Sequence, residues 1–343
     1  MAIPISESCY LQSSKKKMIK IDYSNIPQEY LDYINRFRGK ISRWYQANSM
    51  GNGKTKIILC PECKLIFRFL MKGDNLKKLL LSSASNLPMQ INKVEEKFPV
   101  LKNDRLNSSK SILYQCLYKA FYTLGYHEDK FPSFELTQAL NLKACPYCNA
   151  EDVIVQDLQD KDVRIRNCEL DHFYSKKYYP YLAISLYNLV PSGNICNGGN
   201  CKHEKDTLRE GLISPFELQD SEGLRFELEL NDKGASSYDT FTKSISIRTH
   251  VVNTALTNNA RIFLIASRYS KELEQARLIW TLYKKCSAEG YRKMIVEKSR
   301  LLNTTLTFDT WFESELNITP SNYSNHKLSK LSMDIWRQLE GMR

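Results

Sequence analysis

The sequence predicts an α+β fold, in which short strands and amphipathic helices occupy separate stretches of the chain. Residues 163–170 alternate and are rich in β-branched side chains, which is typical of a strand. In residues 109–124, apolar side chains recur at three- and four-residue steps, which indicates a helix. Two pairs of cysteines flank the predicted strand, and their spacing indicates a metal site.

The chain divides on this basis into three regions. Residues 1–140 are expected to form a mostly helical region, with helices at 28–38 and 109–124. Residues 141–215 carry the cysteine pairs and form the predicted core. Residues 216–343 are expected to contain a β-hairpin followed by helices.

The hairpin in the third region is predicted to pair residues 224–230 with 241–248, joined by the turn sequence at 231–234. One long amphipathic helix is then expected, because apolar side chains recur at helical spacing. This apolar stripe consists of Ile262, Ile265, Tyr269, Leu273, Ala276, Trp280 and Tyr283.

Composition narrows the class of protein. The 343 residues, 42% of them hydrophobic, are enough for two or three folded domains. The net charge of +11 favours an anionic partner such as nucleic acid. Ten cysteines at such spacings indicate metal binding in a reducing cytoplasm. Because no apolar run approaches about 20 residues and the first 20 lack a signal-peptide core, we expect a soluble, cytoplasmic protein with no membrane association.

The cysteine pairs are Cys145 with Cys148 and Cys196 with Cys201. Four thiolates complete a tetrahedral zinc site, and such a site is structural because no position stays open for water. Four residues separate Cys196 from Cys201 where two are usual, so His203 is an alternative to Cys201 as the fourth ligand.

Asp171 and His172 follow the predicted strand directly. Adjacent side chains on an extended chain point to opposite sides. A carboxylate and an imidazole placed in this way suit two tasks, because one can bind a hard cation while the other faces a substrate.

Together these motifs resemble the HNH endonucleases, or ββα-metal nucleases, in the version with a four-cysteine zinc site. The family pattern contains a Cys pair, a strand that ends in Asp-His, an Asn-Leu near a second strand, and a Cys-Asn at a helix start with a basic tail. Here these elements are CPYC, Asp171-His172, Asn188-Leu189 and Cys196-Asn197. The resemblance covers about a fifth of the chain and implies a small zinc-stapled ββα core between two mostly helical flanks.

The resemblance also implies a role for each residue. His172 would be the general base, and Asp171 would bind one Mg²⁺ or Mn²⁺ ion. Asn197 is the first choice for the second metal ligand, because it follows a cysteine as the motif requires. If Cys201 matches the last cysteine of the family, His203 becomes the candidate instead. The side-chain amide of Asn188 would have a structural role and hold in place the loop that positions His172.

DNA is the implied substrate, with RNA as the alternative. A looser resemblance concerns the segment KLSKLSMDIWRQL, residues 327–339. It is similar to the end of HNH proteins from bacterial anti-phage defence cassettes, including Septu-type nuclease subunits, and would imply a companion ATPase.

Two further interpretations remain open. The chain could be a non-catalytic zinc module that binds nucleic acid or a protein, in which Asp171 and His172 are ordinary polar residues of the fold. A second knuckle, Cys60-Pro61-Glu62-Cys63, lacks an evident partner pair, so metal binding, a redox-sensitive pair and ordinary strand cysteines all remain open for it.

Overall fold

The computed structural model describes residues 21–128, 130–158, 163–218, 224–230, 245–251, 254–287, 293–294, 297, 315–316, 318 and 326–341. It combines helices with small antiparallel sheets, so the α+β class is confirmed at this level. The described residues form two compact units. The first comprises Ile21–Pro146 and Val153–Glu217, and the second comprises Tyr147–Asp152 and the described part of Leu218–Arg343.

Helices dominate the N-terminal part of the first unit. They are α1 (Gln28–Ala47), α2 (Pro61–Met71), α3 (Asn75–Leu80), α4 (Leu87–Lys97), α5 (Pro99–Asp104), α6 (Ile112–Tyr118), a π-helix (Lys119–Tyr126) and α7 (Ser133–Ala139). The helix predicted at 28–38 is therefore longer, and the one predicted at 109–124 changes from α to π geometry after Tyr118.

Three two-stranded antiparallel sheets belong to this unit. Their strands are β1 (Ser49–Met50), β2 (Ile57–Ile58), β3 (Val155–Leu158), β4 (Val163–Arg166), β5 (Glu169–His172) and β6 (Leu189–Ser192). β1 pairs with β2, β3 with β4, and β5 with β6. Two helical turns follow, α8 (Asn194–Asn197) and α9 (Thr207–Glu210).

The single strand predicted over residues 163–170 is wrong, because the structure divides it into β4 and β5. Asn167 still faces β3, since its side-chain oxygen accepts from Ile154 N at 2.6 Å. Two residues later the chain pairs with β6 instead. Asp171 and His172 consequently lie within β5 rather than after its end.

Aromatic side chains form much of the core of the first unit. Phe37 of α1 lies 5.3 Å from Phe121 of the π-helix, measured between ring centroids. Tyr30, also on α1, donates its hydroxyl to Ile184 O in the connection between β5 and β6. The N-terminal helices therefore pack directly against the segment that carries the candidate site.

The second unit contains the predicted hairpin. β7 (Leu224–Leu230) pairs with β8 (Ile245–Val251), with Leu224 opposite Val251. The predicted turn at 231–234, and residues 241–244 of the second predicted strand, lie outside the described residues. The helices that the described residues of this unit form are α10 (Thr254–Ile262), α11 (Ile265–Tyr269), α12 (Leu273–Ser287) and α13 (Ser329–Gly341).

The prediction of one long helix through the apolar stripe is also wrong. Leu264 has a left-handed backbone, with φ of 54°, and the helix ends there. Several stripe residues are nevertheless buried, including Ile265, Tyr269 and Ala276. Tyr269 stacks on Phe226 of β7 at 4.0 Å, so part of the stripe packs against the hairpin.

Candidate functional site

The candidate site is built on β5, β6 and α8. In the antiparallel register, Asp171 lies opposite Val190 and His172 opposite Leu189. The single helical turn α8 follows β6 directly and contacts β5. Asn197 is the last residue of this turn, whereas the motif placed it at a helix start.

The imidazole of His172 is buried and held in one orientation. Its Nε2 lies 2.9 Å from the carbonyl oxygen of Ala183. Because a carbonyl oxygen can only accept, Nε2 carries the hydrogen in the neutral ring and Nδ1 is the basic atom. The rings of Tyr122 and Tyr126, from the π-helix, meet the imidazole edge to face at 5.5 and 4.8 Å.

Burial lowers the pKa of His172 well below its ordinary value, and the positive charges of Lys176 and Lys202 lower it further. The hydrogen bond to Ala183 opposes this shift but does not cancel it. The imidazole is therefore neutral at pH 7, with Nδ1 unprotonated.

Asp171 forms a buried ion pair with Lys202. The Nζ atom of Lys202 donates to Asp171 Oδ1 at 2.8 Å and to the backbone oxygen of His172 at 2.6 Å. Burial lowers the pKa of Lys202, and the carboxylate of Asp171 opposes that shift. The lysine that follows Cys201 thus joins the loop after α8 to β5.

The side chain of Asn188 holds the connection between β5 and β6. Its Oδ1 accepts from Tyr174 N at 2.6 Å, and its Nδ2 donates to Leu182 O at 2.9 Å and to Tyr174 O at 3.2 Å. Asn188 is fully buried. These bonds fix the segment that also presents Ala183 O to His172.

One cavity of about 600 Å³, lying within the first unit, brings the predicted residues together. It is lined by Tyr122, Tyr126, His127, Glu128, Phe131, Ser133, Arg166, Glu169, Leu170, Asp171, His172, Ser175, Lys176, Asn197, His203 and Glu204. Both alternatives for the second metal ligand, Asn197 and His203, are in this set. Asn188 is not, since its contacts are with the loop behind the cavity.

Glu169 was missed by the sequence reasoning. Its Oε2 accepts from Asn197 Nδ2 at 2.6 Å, and it lies two residues before Asp171 in β5. Since residues i and i+2 share one face of a strand, strand periodicity could have identified it. Lys176, Tyr122 and Tyr126 had no comparable signal.

Within the first unit, the sulfur atoms of Cys145 and Cys196 lie within 4.8 Å of each other. Within the second unit, the same holds for the ligand atoms of Cys148 and Glu151. Side chains grouped in this way are compatible with a structural metal ion. Cys201 is buried and its N–H donates to Gly198 O at 3.0 Å, so its role as a ligand stays a prediction.

Among the described residues, none of the helices is both long and apolar enough to cross a lipid bilayer. No protein-family model, curated protein or solved structure matches this chain.

Proposed function

We propose that this protein is a metal-dependent endonuclease of the HNH type that hydrolyses phosphodiester bonds in DNA. The observation that supports this best is the position of His172. Its imidazole is neutral, its tautomer is fixed by Ala183 O, and it lines the same cavity as Asp171, Glu169 and Asn197. β5 supplies Glu169, Asp171 and His172, and the helical turn α8 supplies Asn197.

His172 is the general base in this proposal. Nδ1 accepts a proton from a water molecule, and the oxygen of that water attacks the phosphorus while the bond to the 3′ oxygen breaks. The hydrogen bond from Nε2 to Ala183 O places the hydrogen of the neutral ring on Nε2, so that Nδ1 is the basic atom, and it stabilises the imidazolium that forms. The rings of Tyr122 and Tyr126 limit rotation of the imidazole.

The donor atoms around the cavity fit a hard divalent cation. Glu169 and Asp171 offer carboxylate oxygens and Asn197 offers an amide oxygen, which are the donors that Mg²⁺ and Mn²⁺ prefer. A bound cation would neutralise charge on the phosphate and stabilise the leaving 3′ oxygen.

The second cation ligand is Asn197 or His203. We favour Asn197, because its side chain is bonded to Glu169 and so lies next to β5. His203 is exposed and has a left-handed backbone, with φ of 42°. Its imidazole is an alternative ligand, and in that case Asn197 would position Glu169.

Zinc in the cysteine group would act as a structural ion, through Cys145, Cys148 and Cys196 with Cys201 or Glu151 as the fourth ligand. A companion ATPase and a role in anti-phage defence rest on the resemblance of residues 327–339. In that setting the ATPase would control when the nuclease cuts.

The proposal is tested by incubating the purified chain with plasmid DNA and Mg²⁺ or Mn²⁺, alone and with the product of any adjacent ATPase gene. His172→Ala should lower the cleavage rate by about 10²–10⁴-fold, as expected for loss of a general base. The matched control is His250→Ala, because His250 lies in β8 of the second unit, pairs with Glu227 and is not among the residues that line the cavity.

Equal cleavage by the wild type and His172→Ala would exclude the assigned base. An RNA substrate run in parallel decides between the two nucleic acids. If neither is cut under any of these conditions while DNA is still bound, the non-catalytic zinc module is the better description.

A further inference from the structure

A second cavity, also of about 600 Å³, lies between the C-terminal half of α1 and the hairpin of β1 and β2, within the first unit. The described residues that line it are all different from those that line the first cavity. Lys40, Arg43, Trp44 and Ala47 line it from α1. Their spacing of three and four residues places them on one face of that helix. Lys56 lines the cavity from the hairpin.

The turn of the hairpin, residues 51–56, has an ordered backbone. Gly51 has φ of 80°, and a Cβ atom there would lie 2.6 Å from Thr55 O, so the position requires glycine. Thr55 donates its N–H and its hydroxyl to Asn52 O, at 3.0 and 2.8 Å. Lys56 N donates to Gly53 O at 3.1 Å. Lys56 is therefore carried by a hydrogen-bonded turn at the edge of the cavity.

The charge of this cavity is of one sign. Of the described residues that line it, Lys40, Arg43 and Lys56 are basic and none is acidic. Lys40 is paired with Glu128, and their charged atoms lie 2.6 Å apart. Arg43 and Lys56 are exposed, and neither forms an ion pair with another described residue. Two positive charges therefore remain available to an anion.

Apolar side chains form walls beside these charges. Trp44 is half-buried, and its ring meets Phe37 edge to face at 6.1 Å and lies 6.4 Å from Phe67. Leu124, from the π-helix, lines the same cavity. A cleft that combines charges of one sign with walls of low dielectric constant concentrates the electric field and attracts anions. The cavity thus suits phosphate groups.

The second cavity adjoins the first. Glu128, the ion-pair partner of Lys40, lines the first cavity. The π-helix contributes to both, since Tyr122 and Tyr126 line the first cavity and Leu124 lines the second. One ion pair and one helix therefore separate the candidate site from the basic cavity. A chain of phosphates that passes through the first cavity can continue into the second.

We propose that this second cavity binds the phosphate backbone of the nucleic acid, beyond the bond that is cut, through Arg43 and Lys56. The identity of the ligand as nucleic acid rests on the proposed function, whereas the anion site rests on the charge and walls of the cavity. The two cations bind phosphate oxygens and release counterions, so they add affinity and fix the register of the substrate without reading its bases.

A nucleic-acid backbone accounts for the cavity better than a free nucleotide, which offers the same phosphate chemistry. Residues 51–55 lead into β2. A loop that cradles the phosphates of a nucleotide leads instead into a helix, whose N–H groups point at the ligand. The exposed cations Arg43 and Lys56 also come from two separate elements, as is expected for contacts spread along a backbone.

The test measures binding of a labelled DNA duplex to the full chain in EDTA, where metal-dependent cleavage does not take place. Arg43→Ala/Lys56→Ala should reduce the slope of the logarithm of affinity against the logarithm of salt concentration by about two. The matched control is Lys77→Ala/Lys78→Ala, which removes the same charge from exposed positions of α3 that line neither cavity. Its slope should equal that of the wild type. Equal slopes for the two double variants would overturn the proposal.

Should the double variant at Arg43 and Lys56 fail to fold, lysine acetylation of the wild type gives the answer by peptide mass spectrometry. An excess of DNA or RNA should protect Lys56 and leave Lys78 labelled. Protection of Lys56 by ATP but not by nucleic acid assigns the cavity to a nucleotide instead. Equal labelling of Lys56 with and without nucleic acid, or no binding of nucleic acid by the wild type, rules the site out.

Cleavage with Mg²⁺ is measured separately, so the two proposals fail in different ways. A wild type in which nucleic acid protects Lys56 but is never cut retains this binding site and rejects the nuclease. A wild type that cuts DNA while Lys56 stays fully labelled retains the nuclease and rejects this binding site.

Discussion

At the scale of single residues, the ion pair of Lys202 and Asp171 is the feature that most constrains the site. The two side chains are 0% and 3% exposed, and their charged atoms lie 2.8 Å apart. A buried charge without its partner carries a large desolvation penalty. The carboxylate of Asp171 therefore offsets part of the effect of burial on the pKa of Lys202.

Replacing Lys202 by methionine removes the positive charge that pairs with the buried carboxylate of Asp171. We expect Lys202→Met to lower the free energy of unfolding by about 3–5 kcal/mol, measured by denaturant titration. The control is Lys177→Met, because Lys177 and Glu204 form a pair at 3.1 Å with both side chains more than 40% exposed. That change should cost about 0–1 kcal/mol, and equal losses in the two variants would contradict the burial argument.

The lowered pKa of His172 predicts a pH dependence of stability. Below about pH 6.5 an unfolded chain protonates this histidine while the folded chain does not, until the pH reaches the lower folded pKa. The unfolding free energy should therefore fall as the pH falls from about 6.5 towards the folded pKa of His172, because the unfolded state binds the additional proton. His172→Gln removes this contribution.

The measurement is the unfolding free energy of the wild type and of His172→Gln between about pH 5 and pH 8. The wild type should lose stability more steeply below about pH 6.5, since the other groups titrate in both proteins. Parallel curves would mean that His172 has an ordinary pKa in the folded chain, contrary to its burial and to the charges of Lys176 and Lys202.

At the scale of elements, the π-helix supplies Tyr122 and Tyr126, the aromatic side chains that form one wall of the cavity. Its wider turn brings Tyr122 and Tyr126 onto His172, and Gly125 allows the helix to approach its neighbours closely. A Cβ atom at Gly125 would lie 3.2 Å from both Ala120 O and Phe37 Cε2. The position of this wall thus depends on a residue without a side chain.

We expect Gly125→Ala to lower the free energy of unfolding by about 1–3 kcal/mol, because the added methyl group overpacks the core. The matched control is Gly39→Ala in α1, where the nearest atom to a new Cβ is Arg43 Nη1 at 3.9 Å. Since alanine is the better helix former, the control should gain up to about 1 kcal/mol. A neutral or stabilising Gly125→Ala would show that the helix shifts without cost.

At the scale of the whole molecule, the net charge of +11 predicts how any binding of DNA responds to salt. Protein cations that contact phosphates release counterions, so the logarithm of the affinity falls linearly with the logarithm of the salt concentration. A footprint of about six phosphates would lose roughly 10³-fold in affinity between about 50 and 200 mM salt.

Titration of a labelled duplex at several salt concentrations measures this slope. Lys176→Ala, in the cavity, should reduce the slope by about one, whereas Lys78→Ala, on the exposed face of α3, should not change it. Affinity that is independent of salt would exclude a phosphate-dominated interface.

Local patterns in the sequence were sufficient to predict some strands, helices and cysteine pairs. The strand Leu224–Leu230 matches its predicted range, because an alternating segment buries one face whatever its partner is. The helix at Gln28 was found from its periodicity, although it runs further than predicted. Knuckle spacing likewise indicated Cys145 and Cys148, which are both buried and are compatible with a structural metal ion.

The sequence by itself determined the α+β class and indicated the knuckles and the pair Asp171 and His172, because these depend on near neighbours in the chain. Only the tertiary structure decided their surroundings. It brought Tyr122 to His172 and Lys202 to Asp171. Such contacts join segments that are far apart in the chain, so they are set by packing and burial, which have no signature in local spacing.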